Sequence, residues 1–304
     1  MFARSLQHNL APFVVACIAI AVFSAMDAIM KSLSIAIGPY NAMFWRTLAG
    51  LVLTFPLFRL VGHGRWPTRP TLILHIWRGI FAAISVLLFF WGLVRTPMAQ
   101  GIALSFIGPL AALGLASLFL KERIGGRVLS GSLIAFAGVL VIIAARAGED
   151  SGKDAMWGAL AILLAAVFYA ANLVIGRRQS LAAGPIEVAF FFNLVAAVLY
   201  GSAAPWAANM PDISHLPMIV ASALSSTCSI MLLAWAYARA EAQYLVSVEY
   251  TGFIWAALLG WLAFHETLSI ATLLGAALIV AGCLWAARGA PSGDATPMTG
   301  PEAA

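Results

Sequence analysis

The sequence predicts an all-α polytopic membrane protein: ten transmembrane helices in two inverted five-helix repeats, with both termini cytoplasmic. Three observations carry that prediction. The 304 residues are 62% hydrophobic and only 10% charged, at a mean hydropathy of +0.96, whereas charged residues make up about a quarter of a soluble domain. Apolar runs of roughly the ~20 residues that a spanning helix needs follow one another along the chain. Finally, the chain aligns with itself, because sliding 87–144 by 144 positions sets it without a gap on 231–288.

Taken in order, residues 1–10, MFARSLQHNL, form a cytoplasmic N-terminus with one arginine ahead of an apolar run that continues to about Leu33. That run exceeds the roughly 7–15 residues of a signal-peptide core, so it reads as an uncleaved first helix. Turn and charge signals place helices near 11–34, 40–60, 72–94, 98–120 and 128–146, which make up a first repeat over 11–146. A periplasmic loop, 147–154, leads to helices near 155–176, 185–207, 215–238, 243–264 and 270–287, the second repeat over 155–288. Residues 289–304, rich in small residues and proline without apolar periodicity, predict a disordered cytoplasmic tail.

Orientation follows from Lys and Arg, which stay in cytoplasmic loops. With the N-terminus inside, eleven fall on the cytoplasmic side (Arg4, Arg59, Arg65, Arg69, Lys121, Arg123, Arg127, Arg177, Arg178, Arg239 and Arg288) against four outside (Lys31, Arg95, Arg146 and Lys153). Because each unit has an odd number of helices, the second must enter from the opposite side, as in many transporters. The shared register pairs Trp91 with Trp235, Arg95 with Arg239, Gly108 with Gly252 and Glu122 with Glu266. Lys121 and Arg123 flank Glu122, yet no base flanks Glu266. The inversion explains the loss, since the second copy of this helix ends outside, where retention charges would oppose insertion.

The net charge of +5 is absorbed by these topology signals, so no nucleic-acid partner is expected. Cys17, Cys228 and Cys283 all lie in apolar runs without metal-like spacing, and neither metal nor cofactor is expected. No G-x-S-x-G elbow, H-E-x-x-H helix or acid cluster points to an enzyme.

Ionisable groups inside a membrane are costly and mark function by default. Four stand out: Asp27, Arg46, Arg78 and Glu249. Asp27 lies about 10 Å from the outer end of the first helix at about 1.5 Å per residue, and Arg46 sits at a similar depth, so the two can pair. Arg78 and Glu249 form a second possible pair near the inner face. The residue balance favours structural or gating roles for Arg46 and Arg78, together with Pro109, Glu122 and Glu266. The expected substrate contacts are Asp27, Glu249 and its repeat partner Ser105, Ser24 and its partner Tyr169, and Asn172, which matches Asp27 in the repeat. Aromatic lining comes from Phe23, Trp91, Trp235 and Tyr250, since a pocket for small amphipathic molecules needs apolar walls with few polar anchors. Trp91 and Trp235 also suit an interfacial belt. His75 reads as a satisfied interfacial histidine.

The Ser105–Pro109 stretch S-F-I-G-P, the L-K-E-R end at Leu120–Arg123 and the glycine-containing fifth helix resemble the drug/metabolite transporter superfamily, specifically its EamA-type members. The resemblance covers about 11–288, although Thr251-Gly252-Phe253 replaces the proline turn in the second copy. It implies a bacterial inner-membrane carrier whose halves enclose a central cavity and alternate access to it. It further implies export of amino acids or related metabolites, in the manner of the amino-acid exporter branch, aromatic amino acids included; hydrophobic cationic drugs are the second choice. The expected partners are a small-molecule substrate and the lipid bilayer, with the chain acting as a monomer.

Overall fold

The computed structural model describes residues 2–61, 66–108, 110–112, 115, 126–146, 152–180, 182–237, 248 and 250–287. Ten helices are labelled among the described residues: α1 (Phe2–Ile37), α2 (Pro39–Leu60), α3 (Arg69–Leu93), α4 (Met98–Ser105), α5 (Gly126–Arg146), α6 (Gly152–Ser180), α7 (Pro185–Ala207), α8 (Leu216–Tyr237), α9 (Gly252–Phe264) and α10 (Ile270–Ala287). Six spans are long and apolar enough to cross a membrane: Ala11–Ile37, Pro39–Leu60, Arg69–Leu93, Lys153–Gly176, Pro185–Ala207 and Ile213–Leu233. Shorter apolar helices cover Met98–Ala112, Leu129–Ala145, Gly252–Phe264 and Ile270–Trp285. Large apolar side chains such as Leu133, Trp157, Val198 and Ile254 face outward, as a protein solvated by lipid requires.

Local chemistry sets the helix boundaries. Gly38 alone joins α1 to α2, and its φ of 82° is a conformation that glycine adopts without a Cβ penalty. Pro39 follows as the first helical residue, where its missing N–H costs nothing. The same device starts α7 at Pro185 after Gly184. At the loop between α7 and α8, Asp212 accepts a hydrogen bond from the Ser214 N–H at 2.8 Å, which holds its carboxyl below the ordinary range.

Helix α4 differs from its expected span of 98–120. Its regular part ends at Ser105, and the Phe106 N–H turns back to the Ala103 carbonyl at 3.3 Å. Residue 109 is proline and lacks the N–H that would reach the Ser105 carbonyl, so the α-ladder cannot run through this point. Helix α1, by contrast, runs past its expected end to Ile37, and Lys31, counted among the outer-side charges, is buried.

Elements before residue 147 pack chiefly on elements after 151: α5 on α10, α3 on α6, α1 on α8 and α2 on α7. Glycines set the closest approaches. A Cβ on Gly138 would lie 2.5 Å from the Gly275 carbonyl oxygen, and one on Gly282 would lie 2.5 Å from that of Gly131. Between α3 and α6, a Cβ on Gly92 would meet the Gly158 carbonyl oxygen at 2.5 Å. Such contacts replace hydrophobic driving force with backbone-to-backbone packing, which is how helices associate in lipid.

Candidate functional site

Three polar clusters occupy the apolar bundle. The first lies where α1, the α3–α4 turn and the end of α9 meet. The Lys31 ammonium pairs with Glu266 and donates to the Thr96 carbonyl at 2.8 Å. The other oxygen of Glu266 accepts the Met98 N–H at 2.6 Å. The ammonium also lies 4.9 Å from the centre of the Phe264 ring. A lone buried lysine would be costly, so a carboxylate, a carbonyl and a ring face together satisfy it.

Two features aim the carboxylate. His265 ends α9 in the left-handed region, φ 54°, and lets the Glu266 N–H reach back to the Gly260 carbonyl at 3.1 Å. A Cβ on Gly260 would stand 2.7 Å from the Glu266 Oε2, so glycine leaves the notch that the carboxylate fills. Sequence alone assigns Glu266 a structural or gating role without naming a partner. It meets Lys31, 235 positions away in sequence.

The second cluster is Asp27 with Arg46. Asp27 is 2% and Arg46 7% exposed. Their charges attract each other, yet among the described residues no ion pair within 4.0 Å joins them. Arg46 Nη1 points to the Met26 sulfur at 3.8 Å, and its Nε has no hydrogen-bond partner. The expected pair is thus a proximity, not a salt bridge. Tyr200, also electrostatically coupled to Arg46, donates its hydroxyl to the Ala83 carbonyl at 2.7 Å. Ser24 is buried one turn before Asp27.

The third cluster is a chain of hydrogen bonds across α3, α6 and α7. Arg78 Nε donates to Asn172 Oδ1 at 2.9 Å, and its Nη1 donates to Gln179 Oε1. The Gln179 amide nitrogen meets His75 Nδ1 at 2.5 Å, and His75 Nε2 meets Glu187 at 2.9 Å. Guanidinium donates only, so Gln179 turns its oxygen to Arg78 and its NH2 to His75. His75 Nδ1 then accepts, and its Nε2–H donates to Glu187. His75 is 1% exposed, stacks on Phe191 at 4.5 Å and has both ring nitrogens bonded.

At the break in α4, Ser105 returns its hydroxyl to the Ile102 carbonyl at 2.8 Å. The Phe106 ring meets Tyr250 edge-on at 5.2 Å, and the Cys283 thiol donates to the Phe106 carbonyl at 3.3 Å. Trp91 carries the Arg95 guanidinium 3.6 Å over its ring, as an interfacial tryptophan would. Phe23, Trp91, Tyr169 and Trp235 all have exposed rings. Glu249, Pro109 and Glu122 lie outside the described residues, so the expected Arg78–Glu249 pair does too.

Lys31, Gln179, Glu187 and Tyr200 were not anticipated. For Lys31 a signal existed, because it follows Asp27 by four residues and shares its helix face. The others sit at ordinary distances from helix ends, and only tertiary packing joins them.

A sequence profile of the EamA-like transporter family matches this chain twice, over 11–144 and 156–288. A pseudopaline exporter of Pseudomonas aeruginosa is 27% identical over 270 residues, covering 88% of this chain and 92% of that one. An S-adenosylmethionine uptake transporter of Rickettsia bellii is 25% identical, covering 86% and 88%. A riboflavin transporter of Brucella anthropi is 28% identical, covering 81% and 86%. A solved crystal structure shares the fold at a TM-score of 0.62 and 21% identity, covering 93% of this chain and 99% of its own. With many apolar helices and relatives named as transporters of small molecules, the chain belongs to the EamA-like transporter family and is a multi-pass membrane transporter, not an enzyme.

Proposed function

We propose that this protein exports small amphipathic metabolites, amino acids first among them and aromatic ones included, across a bacterial inner membrane. One observation carries the substrate class. Asp27 is an acid 2% exposed at mid-helix with neither hydrogen bond nor ion pair among the described residues, and such a group is retained at high cost unless a ligand uses it. It suits a substrate ammonium. Arg46 beside it disfavours a lone organic cation, which places amino acids ahead of hydrophobic cationic drugs. S-adenosylmethionine, named for the Rickettsia relatives, itself carries an amino-acid end.

In this reading ten crossings form two inverted units that rock about a central cavity with both termini cytoplasmic. Twofold-related contacts support it. Shifted by 144 positions, Gly131 becomes Gly275 and Gly138 becomes Gly282, and the observed contacts are Gly138 with Gly275 and Gly131 with Gly282. Phe106 likewise touches its own counterpart, Tyr250. Each unit contributes the same position twice, as a pseudo-twofold axis requires.

The Lys31–Glu266 pair then acts as an outer gate. It holds the Thr96–Met98 turn by the two backbone groups that flank Pro97, and opening outward requires both hydrogen bonds to break. Ser24, Asp27, Ser105, Asn172 and Glu249 are the proposed polar contacts, with Phe23, Trp91, Tyr169, Trp235 and Tyr250 as aromatic lining. The deciding experiment is counterflow in proteoliposomes with labelled amino acids against labelled organic cations. Saturable amino-acid exchange that Asp27→Asn abolishes supports the proposal; saturable cation exchange without amino-acid exchange overturns it.

A further inference from the structure

The Arg78 cluster differs from the other two in where its negative charge sits. Lys31 is neutralised directly by Glu266, and Arg46 faces Asp27. Arg78 has no acid within 4.0 Å among the described residues. Its two bonded nitrogens, Nε and Nη1, are both held by neutral amide oxygens, those of Asn172 and Gln179. The carboxylate of this hydrogen-bonded cluster, Glu187, is three hydrogen bonds away, through Gln179 and His75. An arginine kept only to join helices would gain most from a carboxylate, since charge-assisted bonds are roughly twice as strong as neutral ones. Here the acid is spent on orienting the histidine.

Among the described residues, the guanidinium thus has no carboxylate against it and one nitrogen, Nη2, left over. Arg78 Nη2 has no hydrogen-bond partner among the described residues. Gly176 faces that side: a Cβ there would lie 3.3 Å from Nε and 3.7 Å from Nη2. Tyr169 is within electrostatic reach on the same helix as Asn172. The partners are inward-facing, with Asn172 and Gln179 both buried on α6, so the arginine is turned toward protein and does not snorkel to headgroups.

We propose that Arg78 is an anion anchor that takes the carboxylate of the transported molecule. Asn172 and Gln179 are positioning residues, and the His75–Glu187 pair fixes the Gln179 amide with its oxygen toward Arg78. This rests on the amino-acid reading for the identity of the carboxylate, but not for the existence of the anion site. Guanidinium is the side chain best matched to a carboxylate, because its planar N–H groups bind it from a fixed geometry.

The test is thermal stabilisation of the detergent-purified full chain by phenylalanine, phenylpropionate and phenethylamine, which share a ring and differ in their charged ends. Phenylalanine and phenylpropionate are expected to raise Tm and phenethylamine to leave it unchanged. Arg78→Gln is expected to abolish both rises and Arg78→Lys to retain part of each. Should Arg78→Gln not fold, Gly176→Val keeps the Arg78 charge while crowding its guanidinium from the α6 side, and the same loss is expected. A rise with phenylpropionate but not phenylalanine supports the anion site and removes the amino-acid reading. Rises that survive both Arg78→Gln and Gly176→Val, stabilisation by phenethylamine alone, or no rise with any of the three overturns the proposal.

Discussion

Glu266 shows how far one side chain depends on its setting. Its carboxylate binds an ammonium and a backbone N–H from opposite sides, so Glu266→Leu leaves Lys31 buried without its counter-charge. Breaking one partner of a buried pair costs about 3–5 kcal/mol, and a drop of that size is expected in unfolding of the detergent-solubilised protein. Lys31→Met with Glu266→Met should recover much of the loss, because paired apolar replacements remove both desolvation costs. His265 is a different case. A non-glycine residue in the left-handed region is strained by roughly 1–2 kcal/mol, and His265→Gly is expected to raise stability by up to about 1 kcal/mol in the same assay. Asp27 and Glu266 were both legible as unusual acids from their apolar surroundings. The partner of Glu266 was not, since Lys31 reads as an outer-side topology charge until its burial against Glu266 is seen.

Among elements, α5 and α10 form the most intimate pair. With a carbonyl 2.5 Å from where a side chain would begin at Gly138 and at Gly282, Gly138→Val must push the two backbones apart. Loss of a cooperative melting transition, or a Tm lower by many degrees, is the expected outcome in a thermal scan. Gly126, where a Cβ would meet nothing within 4 Å, supplies the control on the same helix, and Gly126→Ala should leave Tm within about a degree by the usual size of surface substitutions. Helix positions were readable from hydropathy because each span must satisfy its own backbone in lipid. The end of regular helix at Ser105 was less so. A mid-helix proline permits a bend or a break, and which one occurs depends on whether neighbours, here Tyr250 and Cys283 against Phe106, can pack around the interruption.

For the whole molecule, the outer clasp links packing to the transport cycle. Lys31 and Glu266 grip the turn between α3 and α4, behind which the Met98 side chain is fully buried. In the Lys31→Met, Glu266→Met protein the gripping hydrogen bonds are gone while the apolar contacts remain. A membrane-impermeant maleimide applied from outside should then modify a Met98→Cys reporter at least about tenfold faster than in the unaltered clasp, because tenfold corresponds to only about 1.4 kcal/mol in an open–closed equilibrium. Equal labelling rates would show that the clasp does not govern outward opening.

The amino-acid sequence by itself determined that the chain is a bundle of apolar helices in a membrane, because lipid imposes that constraint span by span. It also marked Asp27, Arg46, Arg78 and Glu249 as intramembrane charges with a reason to be there. Which charge meets which was decided only by tertiary structure. Lys31 finds Glu266 across 235 positions, and Arg78 finds the amides of Asn172 and Gln179. A buried charge must be satisfied by some partner, but hydropathy carries no record of which helices become neighbours, and helix packing alone makes that choice.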